Sequence, residues 1–226
     1  LNTTTCQLSQ GYGMTELSGT AAFLDADAHR LAIEEKPHLL QSAGKPVPNI
    51  EIALLDHQGD VITSALHAHD PSLTGEIVIR GEQVTTGYWQ QTDLTASTLI
   101  DGWLRTGDIG RFDSEGYLYI VDRKKDIIIS GGENVSPREV ESILTNHPNI
   151  KQIVVFGLPD RRWGEAVHAL IETIDGHEIT KDKLLDFCRS RLARYKTPKQ
   201  FFFGNIPINP NGKVDKLAIK RQFPGS

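Results

Sequence analysis

Short apolar runs, each stopped by Gly, Pro or Asp, fill the first half of this chain and restrict it to strands joined by tight connections. "IEIALLD" (50–56) and "GEIVIRG" (75–81) run or alternate apolar between such breaks, as strands do. "GYLYIV" (116–121) is a further predicted strand, entered through a Glu-Gly turn. "TDLTASTL" (92–99) predicts a short helix and "SALHAHDPSLT" (64–74) a polar loop.

Beyond residue 122 strands and helices alternate. "DIIIS" predicts a short strand. The next helix has a well-specified start, with Ser136 as N-cap, Pro137 at N1 and Glu139 at N3 to complete a capping box. Val140, Ile143 and Leu144 share one face, and Pro148 ends the segment. "IKQIVVFGL" and "EAVHALIET" read as strands. "TKDKLLDFCRSRLARY" reads as an amphipathic helix burying Leu184, Leu185, Cys188 and Leu192. A strand, "QFFFGNI", and a last short helix, "DKLAIKRQF", follow Pro198. The expected fold class is α+β, a β-rich part over 1–122 and a small α+β domain over 123–226.

Charge divides the chain at the same place. Residues 1–122 hold 6 Lys and Arg against 17 Asp and Glu, whereas residues 123–226 hold 18 against 12. Two units of opposite sign attract each other, or the basic one handles an anionic ligand. The widely spaced Cys6 and Cys188 suit a reducing compartment, and a cytoplasmic location is expected. No apolar run reaches membrane-spanning length, so no transmembrane segment is expected, and no nucleic-acid partner. The opening "LNTTTCQLSQ" has neither the basic nor the apolar region of a signal peptide and no initiator Met, which suggests a start inside a longer protein.

Several apparent motifs fail on inspection. "GYGMTE" (11–16) lacks the third glycine and the strand-to-helix context of a dinucleotide fingerprint. Gly44-Lys45 and Gly212-Lys213 lack the first glycine and the following Ser or Thr of a phosphate loop. His67, His69 and Asp70 lie in a polar loop with no further ligands and read as solvated. "NPNGKVDK" (209–216) is a strong turn signal that presents Lys213 near a loop tip. Taken alone, it is an exposed loop lysine.

"QGYGMTE", "GEIVIRG", "WLRTGD", "GYLYIVDRKKDIIISGGENVSPREVE", "GLPDRRWGEAV", "YKTPKQF" and "NPNGKVDK" stand in one order. Together they resemble the C-terminal portion of the acyl-adenylate-forming enzymes, and among these most closely the acyl-CoA synthetases. The resemblance implies a β-barrel-like tail of the large AMP-binding domain over 1–122 and a small mobile domain over 123–226. It implies activation of a carboxylic acid with ATP to acyl-AMP and pyrophosphate, then transfer to the thiol of coenzyme A.

By that resemblance Gly11, Tyr12, Gly13 and Thr15 serve the nucleotide, Tyr12 beside the adenine and Thr15 at the phosphate. Glu16 helps hold Mg²⁺, a hard cation that prefers carboxylate oxygen. Asp108 accepts from both ribose hydroxyls, and Arg123 is a second ribose contact. Lys213 reaches the substrate carboxylate and α-phosphate, and Lys216 is a surface lysine of the last helix. Lys125 is the hinge about which the small domain turns between the two reactions. Gly131 and Gly132 then leave room for pantetheine. Trp163 and Tyr195 are implied contacts of the CoA adenine, and Lys196 and Lys199 of its phosphates, beside Arg191 and Arg194. For the glycines the plain alternative is a turn, and for the cations a solvated helix end. The phosphate loop and most of the acyl pocket are expected in a missing N-terminal portion. Two other readings are a non-catalytic nucleotide- or CoA-binding remnant, and a luciferase-like or carrier-protein-acylating relative.

Overall fold

In the computed structural model the described residues are 6–63, 73–177 and 179–223. His67, His69, Asp70 and most of the loop over 64–74 lie outside them. The chain divides into two compact units, Leu1–Lys124 and Lys125–Ser226. The division falls two residues beyond the change in charge and pattern. Among the described residues no helix is long and apolar enough to cross a membrane.

The first unit opens with a three-stranded antiparallel sheet of β1 (Gln10–Met14), β2 (Gly19–Leu24) and, after helix α1 (Ala26–Glu34), β3 (Lys45–Pro46). The Asp25 carboxylate caps α1 by accepting from the Ala28 amide. None of these four elements was expected from the sequence. Their buried residues include the small Ala21, Ala22 and Ala32, which give a weak periodic signal. A six-stranded antiparallel sheet follows, built from β4 (Ile50–Leu55), β5 (Val61–Thr63), β6 (Gly75–Gly81), then helix α2 (Thr92–Thr98), β7 (Leu99–Ile100), β8 (Trp103–Phe112) and β9 (Leu118–Arg123). Its order is β5-β4-β6-β8-β7, with β9 also paired to β8. Leu17 and Ala22 of the first sheet region share one core with Ile52, Leu54, Ile77, Leu104 and Phe112. Each large apolar side chain buried there stabilises the unit by about 1.5–3 kcal/mol.

In the second unit β10 (Ile128–Ser130) and β11 (Glu133–Val135) form a hairpin ahead of helix α3 (Pro137–Leu144). The Ser136 hydroxyl accepts from the Glu139 amide, so the predicted cap is present, and Val140 and Leu144 are buried with Ile143 against them. A long antiparallel pair, β12 (Ile150–Asp160) and β13 (Gly164–Thr173), forms the centre of the sheet. Helix α4 (Lys181–Arg189) crosses over to β14 (Gln200–Phe203), which is parallel to β13, as parallel pairing requires. Helix α5 (Lys216–Gln222) closes the unit. The fold is α+β, as the patterning predicts.

Helix α4 stops six residues short of the predicted end. The Ser190 hydroxyl and the Arg191 guanidinium both donate to the Phe187 carbonyl, side chains competing with backbone for the last acceptors. Leu192 is still buried, through a turn whose amide donates to Cys188 O at 2.7 Å. Burial pushes the Cys188 thiol up to about 11, so it packs as a small hydrophobe.

Candidate functional site

"WLRTGD" is a bulged segment of β8. Between the pairs Glu76↔Ile109 and Val78↔Arg105, three β8 residues face the single Ile77. Gly107 takes φ 71° there, a conformation glycine adopts without strain. The Thr106 hydroxyl donates to Ile77 O and accepts from the Asp108 amide, which locks the bulge. Asp108 is thereby aimed at Tyr12, whose hydroxyl donates to Oδ2 at 2.7 Å. On the neighbouring strand Arg123, the direct partner of Asp108 in register, brings Nε to 2.7 Å from Oδ1. Asp108 is 6% exposed, and the side chain of Arg123 is open to solvent. Burial and then the bond to Asp108 push the Tyr12 hydroxyl far above its ordinary range, so it stays a donor.

Tyr12 sits at a bulge of its own, where the register of β1 on β2 shifts between Tyr12 and Gly13. A Cβ on Gly13 would lie 2.0 Å from Gly19 O, so that glycine is required by the partner strand itself. Gly11 is less constrained, its nearest neighbour being the Thr20 methyl at 3.1 Å. Three residues on, Thr15 and Glu16 line a cavity of about 490 Å³ together with Ser18, Glu82, Thr85 and Tyr88. The Tyr88 hydroxyl donates to Glu16 Oε1 at 2.8 Å. Burial first, and then this carboxylate, raise the Tyr88 pKa.

In the second unit Gly131 and Gly132 form the two-residue turn between β10 and β11, at φ 64° and 85°. A Cβ on Gly131 would come within 2.8 Å of the Trp163 ring, and the Gly131 amide donates to Trp163 O. Lys199 Nζ lies 5.0 Å from the centroid of that ring and the Arg162 guanidinium carbon 4.8 Å. The residues implied for CoA therefore fall into two groups. Gly131, Trp163 and Lys199 meet, whereas Lys196 Nζ lies 5.7 Å from the Tyr195 ring centroid and donates to the Glu139 carboxylate at 2.6 and 2.7 Å. Among the described residues no ring contact joins Trp163 to Tyr195.

Lys213 is carried by a turn that Asn209 organises. The Asn209 side-chain oxygen accepts from the amides of Asn211 and Lys213, and its carbonyl accepts from Gly212. Of the Asn-Gly pair only Gly212 uses positive φ, at 75°. The Lys213 side chain is exposed and makes no ion pair among the described residues. Lys125 is likewise exposed, beside the division between the units. Lys216, expected as a surface lysine of the last helix, lies on that helix but is paired: its ammonium donates to Asp126 Oδ2 at 3.0 Å, and both side chains are largely covered. The sequence reading missed this because the partner lies 90 residues away.

Comparison with known proteins follows the same layout. The AMP-binding enzyme family model matches residues 1–89, and the model of the AMP-binding enzyme C-terminal domain matches residues 139–213. The chain belongs to the AMP-binding enzymes. Among relatives of this chain, the long-chain-fatty-acid–CoA ligase FadD13 of Mycobacterium tuberculosis is 39% identical over 219 residues, covering 96% of this chain and 40% of its own length. The fatty acid–(acyl-carrier-protein) ligase ScoC of Streptomyces coeruleorubidus is 37% identical over 221 residues, with 97% and 40% covered. The structure of o-succinylbenzoate CoA synthetase MenE from Bacillus subtilis, in complex with ATP and a magnesium ion, superposes with a TM-score of 0.76 at 36% identity, covering 91% of this chain and 40% of that one. The chain spans about two fifths of the length of these relatives.

Tyr88 and Thr106 are members of this candidate site that the sequence did not single out. Thr106 lies inside the quoted "RTGD", so its neighbourhood was marked but its bulge was not. Tyr88 stands in "TTGYWQ", where no periodicity separates an inward aromatic from its exposed neighbour Trp89.

Proposed function

We propose that a complete protein containing this chain is an ATP-dependent acid–thiol ligase, an acyl-CoA synthetase acting on a fatty or aromatic acid. It converts the acid and ATP to acyl-AMP and pyrophosphate, then transfers the acyl group to CoA. The observation that carries this reading is the buried Asp108 carboxylate, held by Tyr12 and Arg123 in a chain of the AMP-binding family. A carboxylate oriented in this way suits the two hydroxyls of a ribose. The tail of the large AMP-binding domain then corresponds to residues 1–122 and the small C-terminal domain to 123–226.

In the first step negative oxygens converge on the α-phosphorus, and the protein's part is to position and neutralise them. Tyr12 faces the adenine, Arg123 supports the ribose, and the Thr15 hydroxyl donates to phosphate. Gly11 and Gly13 keep this strand close to the nucleotide. Glu16 would hold Mg²⁺, which contributes neutralisation of phosphate charge when bound. The residues fit: Glu16 is a hard donor oriented by Tyr88, and the adjoining cavity leaves room for the phosphate oxygens and waters that Mg²⁺ retains. Lys213 contributes its ammonium to the reacting carboxylate and α-phosphate.

For the second step the second unit turns about Lys125, and Gly131 and Gly132 admit the pantetheine arm. Trp163 and Tyr195 are assigned to the CoA adenine and Lys199 to its phosphates. Lys196 joins them only by leaving Glu139. The test is ATP–pyrophosphate exchange dependent on a carboxylic acid, followed by thioester formation with CoA, in the complete protein. Exchange without thioester would disprove the CoA assignment, and no exchange would disprove adenylation. Identity to ScoC favours one second reading, transfer to a carrier protein, which the same assay separates by offering a holo carrier protein in place of CoA.

A further inference from the structure

Two ion pairs close on the residues either side of Lys125, one inside each unit. Lys124, the last residue of the first unit, places Nζ 2.9 Å from Glu76 Oε2. Glu76 is 6% exposed and shares that oxygen with the Arg105 guanidinium at 2.5 Å. The anchor is thus rooted in paired strands β6 and β8, not in a loop. Asp126, the second residue of the second unit, takes Lys216 Nζ at 3.0 Å, with the two side chains 24% and 30% exposed. Lys216 opens α5, whose N-cap Asp215 accepts from the Ala218 amide. It follows Lys213 by three residues. Between the anchors Lys125 is exposed and its side chain makes no ion pair among the described residues.

We propose that Lys124 and Lys216 are positioning residues: their pairs with Glu76 and Asp126 confine the turning motion to the backbone of residue 125 and tie the Lys213 loop to that pivot. This rests on the adenylation reading above. A chain that must turn at one place needs both flanks stiff, because a soft flank spreads the rotation over several residues and blurs where the distant ammonium arrives. The Lys216–Asp126 bond makes the stiffening mechanical: the second unit is gripped at its first residues and at the helix carrying the Lys213 turn. Neither pair is a rim contact between long exposed side chains, since Glu76 is buried and Asp126 and Lys216 are largely covered. A charge-assisted bond at each flank restrains the residue on either side of Lys125.

The test compares Lys216→Met, Asp126→Asn and Lys216→Arg in the complete protein. The run Arg123-Lys124-Lys125 gives trypsin three adjacent sites, so native-state cleavage there, followed by mass, reports local opening without reference to chemistry. The Met and Asn variants are expected to be cut at least about fivefold faster there. They should also lose roughly tenfold in acyl-AMP formation, while thioester formation from supplied acyl-AMP changes less than about twofold. Lys216→Arg should restore both. Cleavage at the wild-type rate in both variants overturns the proposal, and so does an equal loss in the two half-reactions that Arg fails to restore. If the wild-type protein forms no acyl-AMP, the functional reading fails by itself and the cleavage rates still decide the Lys216–Asp126 anchor.

Discussion

Tyr12 donates its hydroxyl to Asp108 at 2.7 Å, joining two strands whose bulges lie 96 residues apart in the chain. Each residue stands beside a register shift while keeping a paired neighbour, Ala22 for Tyr12 and Arg123 for Asp108, and the two side chains meet. Removing the acceptor leaves a buried donor and the Arg123 guanidinium without their carboxylate. Asp108→Ala is therefore expected to raise the dissociation constant for ATP or AMP by roughly 10–100-fold, on the scale of one or two lost charge-assisted hydrogen bonds. Calorimetric titration of the complete protein checks this. Unchanged affinity would remove the ribose assignment.

The Lys213 side chain is exposed and makes no ion pair among the described residues, so its loss costs the fold little. Lys213→Ala is expected to slow acyl-AMP formation by about 10²–10³-fold and to spare thioester formation from supplied acyl-AMP. Rapid-quench measurement of the two half-reactions separates them. Equal loss in both would reduce this lysine to a supporting role.

Glu76 sets an acid limit on the first unit. Burial pushes its carboxyl up, but the hydrogen bonds and charges of Arg105 and Lys124 outweigh burial and hold it below the ordinary glutamate value of 4.5. A depressed acid contributes its full stabilisation above that ordinary value and loses it as pH falls through the lowered one. Glu76→Gln should cost about 3 kcal/mol at neutral pH by breaking a buried pair, and the cost should shrink on acidification below about pH 4.5. Denaturant unfolding at several pH values tests the sign. A cost that grows on acidification would contradict the pairing.

Gly131 combines φ of 64° with the Trp163 ring beside it. Gly131→Ala should lower stability by about 1–2 kcal/mol from the left-handed backbone alone, with the displaced indole adding to it. Thermal unfolding, with Trp163 fluorescence as the local reporter, reads both. A variant with wild-type stability and emission would show that the turn tolerates a side chain.

Where the signal is local, sequence was sufficient. The Ser136–Pro137 helix start was legible because the cap bonds an amide three residues on, and Pro sits where no donor is needed. The strands β4, β6, β12 and β13 were legible because large β-branched residues in period-two or continuous apolar runs admit little else. The ordered motifs also marked Asp108, Arg123 and Lys213 as candidates. The sheet formed by β1, β2 and β3 was not legible, since glycine and alanine carry almost no periodic contrast.

Sequence alone thus determined the α+β class, the change of character near residue 122, and which side chains to watch. Tertiary structure decided their partners. It joined Tyr12 to Asp108, paired Lys216 with Asp126, and spent Lys196 on Glu139. The physical reason is that caps, turns and periodicity arise from atoms a few residues apart. Register shifts and long-range ion pairs instead depend on how whole strands dock, and no short stretch of chain contains that information.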